Sequence, residues 1–151
     1  MYAGLLFLHS ALRWLVVISV LVAIVRAGRG MLLKSAFTKT DDAVRHWTAT
    51  VIHVQFVVGF SLYFVSPLIR FFWSPTSDTI GISFFAWIHP LVMFTAVIVA
   101  TLSSVIAKRR VIDHDKFKLM LTGYSVTLLL IFVAIPWPFS PFANRPYLRA
   151  F

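Results

Sequence analysis

The 151-residue chain is 60% hydrophobic and 13% charged, with a mean hydropathy of +0.88, whereas an ordinary soluble domain is roughly 45–50% apolar and about 25% charged. This composition excludes a water-soluble core, and the length suits one domain over residues 1–151. The absence of cysteine rules out disulfides, thiolate metal sites and iron–sulfur clusters, and the net charge of +9 comes from residues between apolar runs, which argues against nucleic-acid binding.

Four apolar stretches follow one another along the chain, over residues 5–25, 44–65, 82–107 and 117–137. A helix that crosses a bilayer needs about 20 mostly apolar residues, so each stretch is predicted to be a membrane-spanning helix. The first stretch ends in RAGRG and has no basic residue before it, which distinguishes it from a signal peptide. Because short loops make successive helices antiparallel neighbours, we predict an all-α transmembrane bundle of four helices with up-down-up-down connections.

The basic residues predict the orientation of the bundle. Ten of the 14 Lys and Arg residues lie around the loops that join the first helix to the second and the third to the fourth, namely Arg26, Arg29, Lys34, Lys39, Arg45, Lys108, Arg109, Arg110, Lys116 and Lys118. The opposite side has only Arg70, Arg145 and Arg149. The positive-inside rule therefore predicts that both termini lie outside, in the periplasm, for a protein of the bacterial inner membrane.

Aromatic residues and prolines mark the outer boundary of the bundle. Trp73 and Trp137 fall where amphipathic rings favour the headgroup level, and Trp47 marks the inner boundary. Pro136 and Pro138 are expected to end the fourth helix. The loop SPLIRFFWSPTSDT is apolar and aromatic, and is predicted to lie along the interface as a short turn or helix.

Four ionisable residues fall inside the predicted spans: His9, Arg13, His53 and His89. Such residues are costly in a bilayer, so they are expected to face the bundle interior and to mark a functional site. His9 and Arg13 are four residues apart and share one helix face. With a rise of about 1.5 Å per residue, all three imidazoles are predicted to converge in the centre and outer half of the bundle.

A b-type haem suits these residues. Neutral imidazole is a good ligand for haem iron, an Arg can pair with a propionate, and the spans contain no Asp or Glu to favour a hard cation. We predict that His9 and His89 are axial ligands from diagonal helices, with His53 as a nearby alternative ligand. Arg13 would anchor a propionate. Aromatic residues expected to line the pocket are Trp14, Trp87, Phe85, Phe56 and Phe60.

Pro90 directly follows His89 and cannot donate a backbone hydrogen bond to the carbonyl of Ala86. A bend of the third helix is therefore expected beside the predicted site. Such a bend would widen the pocket.

Three other functions remain open at this point. His9, His53 and His89 could form a non-haem copper or zinc site, for which each imidazole nitrogen must lie about 2.0–2.1 Å from one ion. The chain could instead be a structural subunit of a larger membrane complex, because an intramembrane His often only bonds a neighbouring helix. A porphyrin-oxidising enzyme is the third alternative.

If the chain is the haem protein predicted first, it would act as a cytochrome that passes single electrons between membrane quinol and a periplasmic or complex-bound acceptor.

Several stretches of the chain resemble a known group of proteins. YAGLLFLHSALRWLVVISVLVAIVR, VIHVQFVVGFSLYFVSP, FFAWIHPLVMF and AIPWPF with the later RPY are similar to small four-helix membrane proteins of Bacteroidetes-type bacteria labelled cytochrome b, and the likeness covers nearly the whole chain. More distantly, the layout resembles the superfamily of SirB-like proteins, CopD-like copper-resistance proteins and HemJ-type protoporphyrinogen oxidases. In the HemJ pattern a His on the first helix and a Lys on the third are the functional pair.

His9 matches the first of those positions, and His89 falls near the second. The resemblance implies a haem or porphyrin site. The His in place of Lys argues against the oxidase activity and favours ligation by two imidazoles.

Overall fold

The computed structural model describes residues 1–73 and 83–139. Within them the chain forms α1 (Tyr2–Leu32), α2 (Lys39–Val65), the short α3 (Pro67–Phe72), a π-helical turn (Phe84–Ile88), α4 (His89–Arg109) and α5 (Asp113–Ala134). The π-helical turn runs directly into α4, so the two form one rod. This rod, α1, α2 and α5 are each long and apolar enough to cross a membrane. The predicted all-α, four-helix membrane fold is confirmed.

The four long helices pack as antiparallel neighbours in a ring. α1 packs against α2 and α5, and α4 packs against the same two helices, so α1 and α4 lie on a diagonal. Each neighbouring pair is antiparallel, because residues near the end of one helix contact residues near the start of the next, as Arg26 with Asp41, Arg45 with Ser104 and His89 with Ala134. This is the predicted up-down-up-down order. Which side faces the cytoplasm stays a prediction, and Arg145 and Arg149 lie outside the described residues.

The helix ends follow from local sequence. α1 continues past residue 25 to Leu32, where Gly30 lets the ring of Phe117 pack directly on its backbone. α2 begins with a capping box, in which Thr38 Oγ1 accepts from the Asp41 N–H at 3.3 Å and the Asp41 carboxylate accepts from the Thr38 N–H at 2.9 Å. α5 ends at Ala134, just before Pro136, which was predicted to end it, although the predicted span ran on to residue 137.

The predicted interfacial loop is a helix in its described part. α3 begins with Pro67 in its first turn and ends at Phe72. Residues 74–82, which include the remainder of that loop and the predicted start of the third span, lie outside the described residues.

Small residues make many of the contacts inside the bundle, beside a few large buried side chains such as Phe117, Met120 and Tyr124, and most of the outer surface is large and apolar. Helix contacts in the centre are made by alanines that are at most 1% exposed, which are Ala23, Ala27, Ala96, Ala100 and Ala107. Large side chains such as Val57, Leu91 and Leu129 are about 60% exposed on the outer surface (62%, 60% and 63%). This is the pattern expected in lipid, where close backbone approach and hydrogen bonds, not burial of Leu or Phe, hold helices together.

Candidate functional site

His9 and His89 meet in the interior, across the diagonal of the bundle. Their ring centroids are 6.3 Å apart and their planes are inclined by 73°. Two imidazoles that bind opposite sides of one metal, each through a bond of about 2.0–2.1 Å, have centroids roughly 6 Å apart once the ring radii are added. The ring planes can take any angle about such an axis. The spacing of the pair therefore suits two ligands of one metal.

The position of His89 depends on the end of α5. Its Nδ1 lies 2.8 Å from the carbonyl oxygen of Ala134. In a continuing helix this carbonyl would accept from residue 138, but that residue is Pro138 and has no N–H. Because a carbonyl can only accept, Nδ1 carries the hydrogen and the neutral ring presents the lone pair of Nε2. A second-shell carbonyl that fixes the tautomer in this way is typical of His ligands to metals.

A π-helical turn precedes His89, at the place where a bend was expected from Pro90. The N–H of His89 donates to the carbonyl of Phe84, five residues earlier. The Ala86 carbonyl, which Pro90 cannot satisfy, accepts from the hydroxyl of Tyr63 at 3.2 Å. Such π-helical turns are frequent at functional sites because they shift the register of the side chains that follow.

Aromatic rings surround His89. The centroids of Phe84 and Phe85 are 5.9 and 6.1 Å from that of His89. Phe84 is only 2% exposed, so it keeps this side of the imidazole away from the outer surface. Phe85 was predicted to line the site, whereas Phe84 was not, since the sequence does not distinguish the two neighbouring rings.

His9 lies against a glycine of α2. A Cβ at Gly59 would be 2.9 Å from Cε1 of His9 and 3.3 Å from Nδ1, so only glycine leaves room for the imidazole in this position. Gln55, one turn before Gly59, donates from Nε2 to the backbone carbonyl of His9 at 3.0 Å and lies 3.5 Å from His9 Nε2. Gln55 was missed in the sequence, where only ionisable residues were taken as signals. An uncharged amide inside a span was the signal that could have found it.

Two buried polar atoms of this cluster make no hydrogen bond to the described residues. They are Nδ1 of His9 and Oε1 of Gln55. A buried polar atom without a partner costs about 1–3 kcal/mol. The cluster therefore has spare polar atoms beside the His9–His89 pair, as expected of a site that takes a ligand.

Arg13 and Trp14 extend the site along α1. The guanidinium carbon of Arg13 lies 5.5 Å from the centroid of the Trp14 ring, which places the cation over the aromatic face. Trp14 in turn packs edge-on against Trp137, with centroids 6.2 Å apart. Both predicted residues are partly buried, and Arg13 lies about one turn after His9 whereas Trp14 lies about 1.4 turns after it.

His53 does not join the other two histidines. Its side chain is exposed on the outer surface of the bundle, and its Nε2 lies 2.9 Å from Oγ1 of Thr101 on α4. The reason is the helical period, since residues two apart differ by about 200° around a helix. Gln55 faces His9, so His53 faces away from it.

Trp87 also lies apart from the histidine pair. It is 49% exposed and packs against Trp73, with centroids 5.4 Å apart. Across residues 1–73 and 83–139, no three His, Cys, Asp or Glu side chains are grouped so that they could hold a metal ion. The structure thus does not assemble the three-imidazole copper or zinc site.

The fold and the site define a multi-pass, four-helix membrane protein with a pair of interior imidazoles on diagonal helices. Comparisons of the chain with protein-family models, with curated proteins and with solved structures find no match. The resemblance to membrane proteins labelled cytochrome b stays a prediction.

Proposed function

We propose that this protein is a membrane cytochrome that binds one b-type haem between α1 and α4, with His9 and His89 as the axial ligands. The observation that carries the proposal is the 6.3 Å separation of the two ring centroids across the bundle diagonal. When bound, the haem supplies an iron that accepts and releases single electrons. Transfer of single electrons within the membrane is the function proposed.

The residues around the pair have distinct tasks in this proposal. The Ala134 carbonyl holds His89 with the lone pair of Nε2 available. Gly59 leaves the space that His9 needs. The buried ring of Phe84 lies against His89 and shields that imidazole from water. Arg13, at i+4 from His9, supplies a positive charge for a propionate carboxylate.

The buried polar atoms that make no hydrogen bond to the described residues, Nδ1 of His9 and Oε1 of Gln55, favour a ligand-binding role over a purely structural one. A subunit whose histidines only bond neighbouring helices needs both imidazoles to make those bonds. His89 makes one to Ala134, whereas His9 has only the 3.5 Å approach of Gln55 to its Nε2, and its Nδ1 makes none to the described residues. A copper or zinc ion held by this pair would need further ligands from the same span region, where the chain has no Asp, Glu or Cys.

The proposal includes the cell location and the partners. Basic residues are concentrated at one end of the bundle, so both termini would lie in the periplasm of a cell with the chain in its inner membrane. The electron donor would be a membrane quinol or a subunit of a respiratory complex.

The test is an absorbance spectrum of the protein purified in detergent after expression with haem supplied, together with metal analysis. We expect a Soret band, iron in proportion to porphyrin, and loss of both in His9→Ala and His89→Ala. His46→Ala, an exposed imidazole at the other end of α2, is the matched control and should keep the full haem content. Copper or zinc without porphyrin absorbance, or no cofactor at all, would refute the proposal.

A further inference from the structure

His53 is an imidazole in the middle of a membrane span that faces outward. Its Nε2 lies 2.9 Å from Oγ1 of Thr101, and that hydroxyl donates its single hydrogen to the carbonyl of Val97 at 2.7 Å. Oγ1 must therefore accept from His53, so Nε2 carries the hydrogen. In the neutral ring the other nitrogen, Nδ1, is then a hydrogen-bond acceptor. Within residues 1–73 and 83–139, Nδ1 has no hydrogen-bond partner.

The surface beside His53 is aromatic. Phe56 packs against Phe94 of α4, with centroids 5.9 Å apart, and stacks on Phe60 at 6.0 Å and 20°. Phe60 and Phe94 are 56% and 51% exposed. These rings form a row along the groove between α2 and α4, on the side of His53 that leads toward the end of α2.

This surface does not suit another helix. Helices that associate in membranes approach through small residues such as Gly, Ala and Ser, whereas the groove presents phenyl rings, with Val57 and Ile98 beside them at 62% and 41% exposure. A flat aromatic molecule can instead pack against such rings at centroid distances of about 4.5–7 Å. It must also bring a hydrogen-bond donor to Nδ1 of His53, at the depth of the hydrocarbon core.

We propose that the groove formed by His53, Thr101, Phe56, Phe60 and Phe94 binds the ring of a membrane-soluble quinol, whose hydroxyl donates to Nδ1 of His53. A quinol has the three properties that the groove selects, namely an aromatic ring, a hydroxyl donor and solubility in lipid. The oxidised quinone has only carbonyl acceptors, so Nδ1 gives it no hydrogen bond. The groove therefore prefers the reduced form. This inference deepens the proposed function by choosing the quinol as electron donor and assigning its binding site, and in that sense rests on it.

The experiment measures binding of decylubiquinol and decylubiquinone to the full-length protein in detergent, by calorimetry under anaerobic conditions. We expect one saturable site that binds the quinol about tenfold more tightly than the quinone, the size of one hydrogen bond. His53→Ala and His53→Phe should both remove this preference. His46→Ala, on the same helix and also exposed, should keep it.

Thr101→Val is the sharper variant. The substitution removes the acceptor that keeps the hydrogen of His53 on Nε2. The neutral ring can then carry its hydrogen on Nδ1 and donate it to a quinone carbonyl. We expect quinol and quinone to bind with similar affinity to this variant. A structural role of Thr101 alone would leave their ratio unchanged.

The absorbance spectrum of every variant reports its haem content, so the quinol site and the haem proposal can fail independently of each other. Binding that depends on His53 in a protein without haem would uphold the quinol site and refute the cytochrome. Quinol uptake that does not saturate, or that is unchanged in His53→Ala, would overturn the quinol site whatever the haem content. The quinol site would also be overturned if the wild-type protein is a dimer that binds no quinol and His53→Ala dissociates it. The groove would then be a contact between copies of the chain.

Discussion

Nδ1 of His89 bonds the carbonyl of Ala134 at the place where Pro138 removes the usual helical donor. Two more carbonyls that lose a donor to proline are also taken by side chains. Tyr63 donates to Ala86, four residues before Pro90, and the indole of Trp137 donates to Phe132, four residues before Pro136, at 2.8 Å. In a bilayer each such carbonyl would otherwise lack a partner, at a cost of several kcal/mol. Of these carbonyls, that of Ala134, opposite Pro138, is the acceptor that orients the interior imidazole.

Pro138→Ala should loosen this orientation. In a chain that also carries Pro136→Ala, so that α5 can continue past its present end, an alanine at 138 restores a backbone N–H that can compete for the Ala134 carbonyl. We expect a smaller fraction of His89 with the hydrogen on Nδ1, measured by 15N NMR of His-labelled protein. Pro136→Ala alone is the matched control, because it frees a donor for Phe132, whose carbonyl does not contact His89. An unchanged His89 tautomer in the double variant would contradict the role given to the proline.

Gly59→Ala should displace His9. The new Cβ would lie 2.9 Å from Cε1 of the imidazole, and overpacking of this kind costs about 1–3 kcal/mol. We expect lower thermal stability and a reduced haem content in the absorbance spectrum. Gly4→Ala is the control, because nothing lies within 4 Å of a Cβ built there. Full haem content in Gly59→Ala would mean that His9 need not lie where it does.

Arg13→Gln should lower the reduction potential of the bound haem. A positive charge near the iron favours the reduced state, which carries one positive charge less, so its removal favours the oxidised state. We expect a decrease on the order of tens of millivolts in a spectroscopic redox titration. Arg13→Lys keeps the charge and should keep most of the potential. A potential that is equal in wild type and Arg13→Gln would exclude Arg13 from the site.

Ser104→Ala should destabilise the basic end of the bundle. Arg45 is 4% exposed, and its Nη1 donates to Oγ of Ser104 at 2.6 Å. Hydrogen bonds to charged groups contribute about 1.5–3 kcal/mol, and the loss is partly offset here because the backbone carbonyl of Ser104 still accepts at 3.1 Å. We expect a loss of about 1–2 kcal/mol in unfolding in detergent. The exposed Ser125→Ala should change stability little, and an equal loss in both variants would contradict this account.

The fold follows from the sequence because lipid imposes simple requirements. Runs of about 20 apolar residues must be helices, and prolines end or distort them, so the four spans, the end of α5 at Ala134 and the distortion before His89 were all predictable. The meeting of His9 and His89 followed from their similar depth on the first and third helices, which run parallel across the diagonal of the bundle. Gln55 carries no charge and gave no such signal.

The orientation of side chains around each helix was harder to predict. In a soluble helix the apolar stripe marks the buried face, but a helix in lipid is apolar all round, and its inward face is marked only by small or polar residues. His53 was therefore placed on the wrong side of α2, and Trp87 likewise lies at the surface. The position of Gly59, one turn after Gln55, is what distinguishes the inward face of α2.

The most direct test of the central claim is electron paramagnetic resonance of the oxidised protein loaded with haem. Two imidazole ligands predict a low-spin iron signal in the wild type. His9→Ala and His89→Ala should each lose that signal or convert it to high spin, and added imidazole should restore it. A low-spin signal that persists unchanged in either variant would contradict the assignment of His9 and His89 as the two axial ligands.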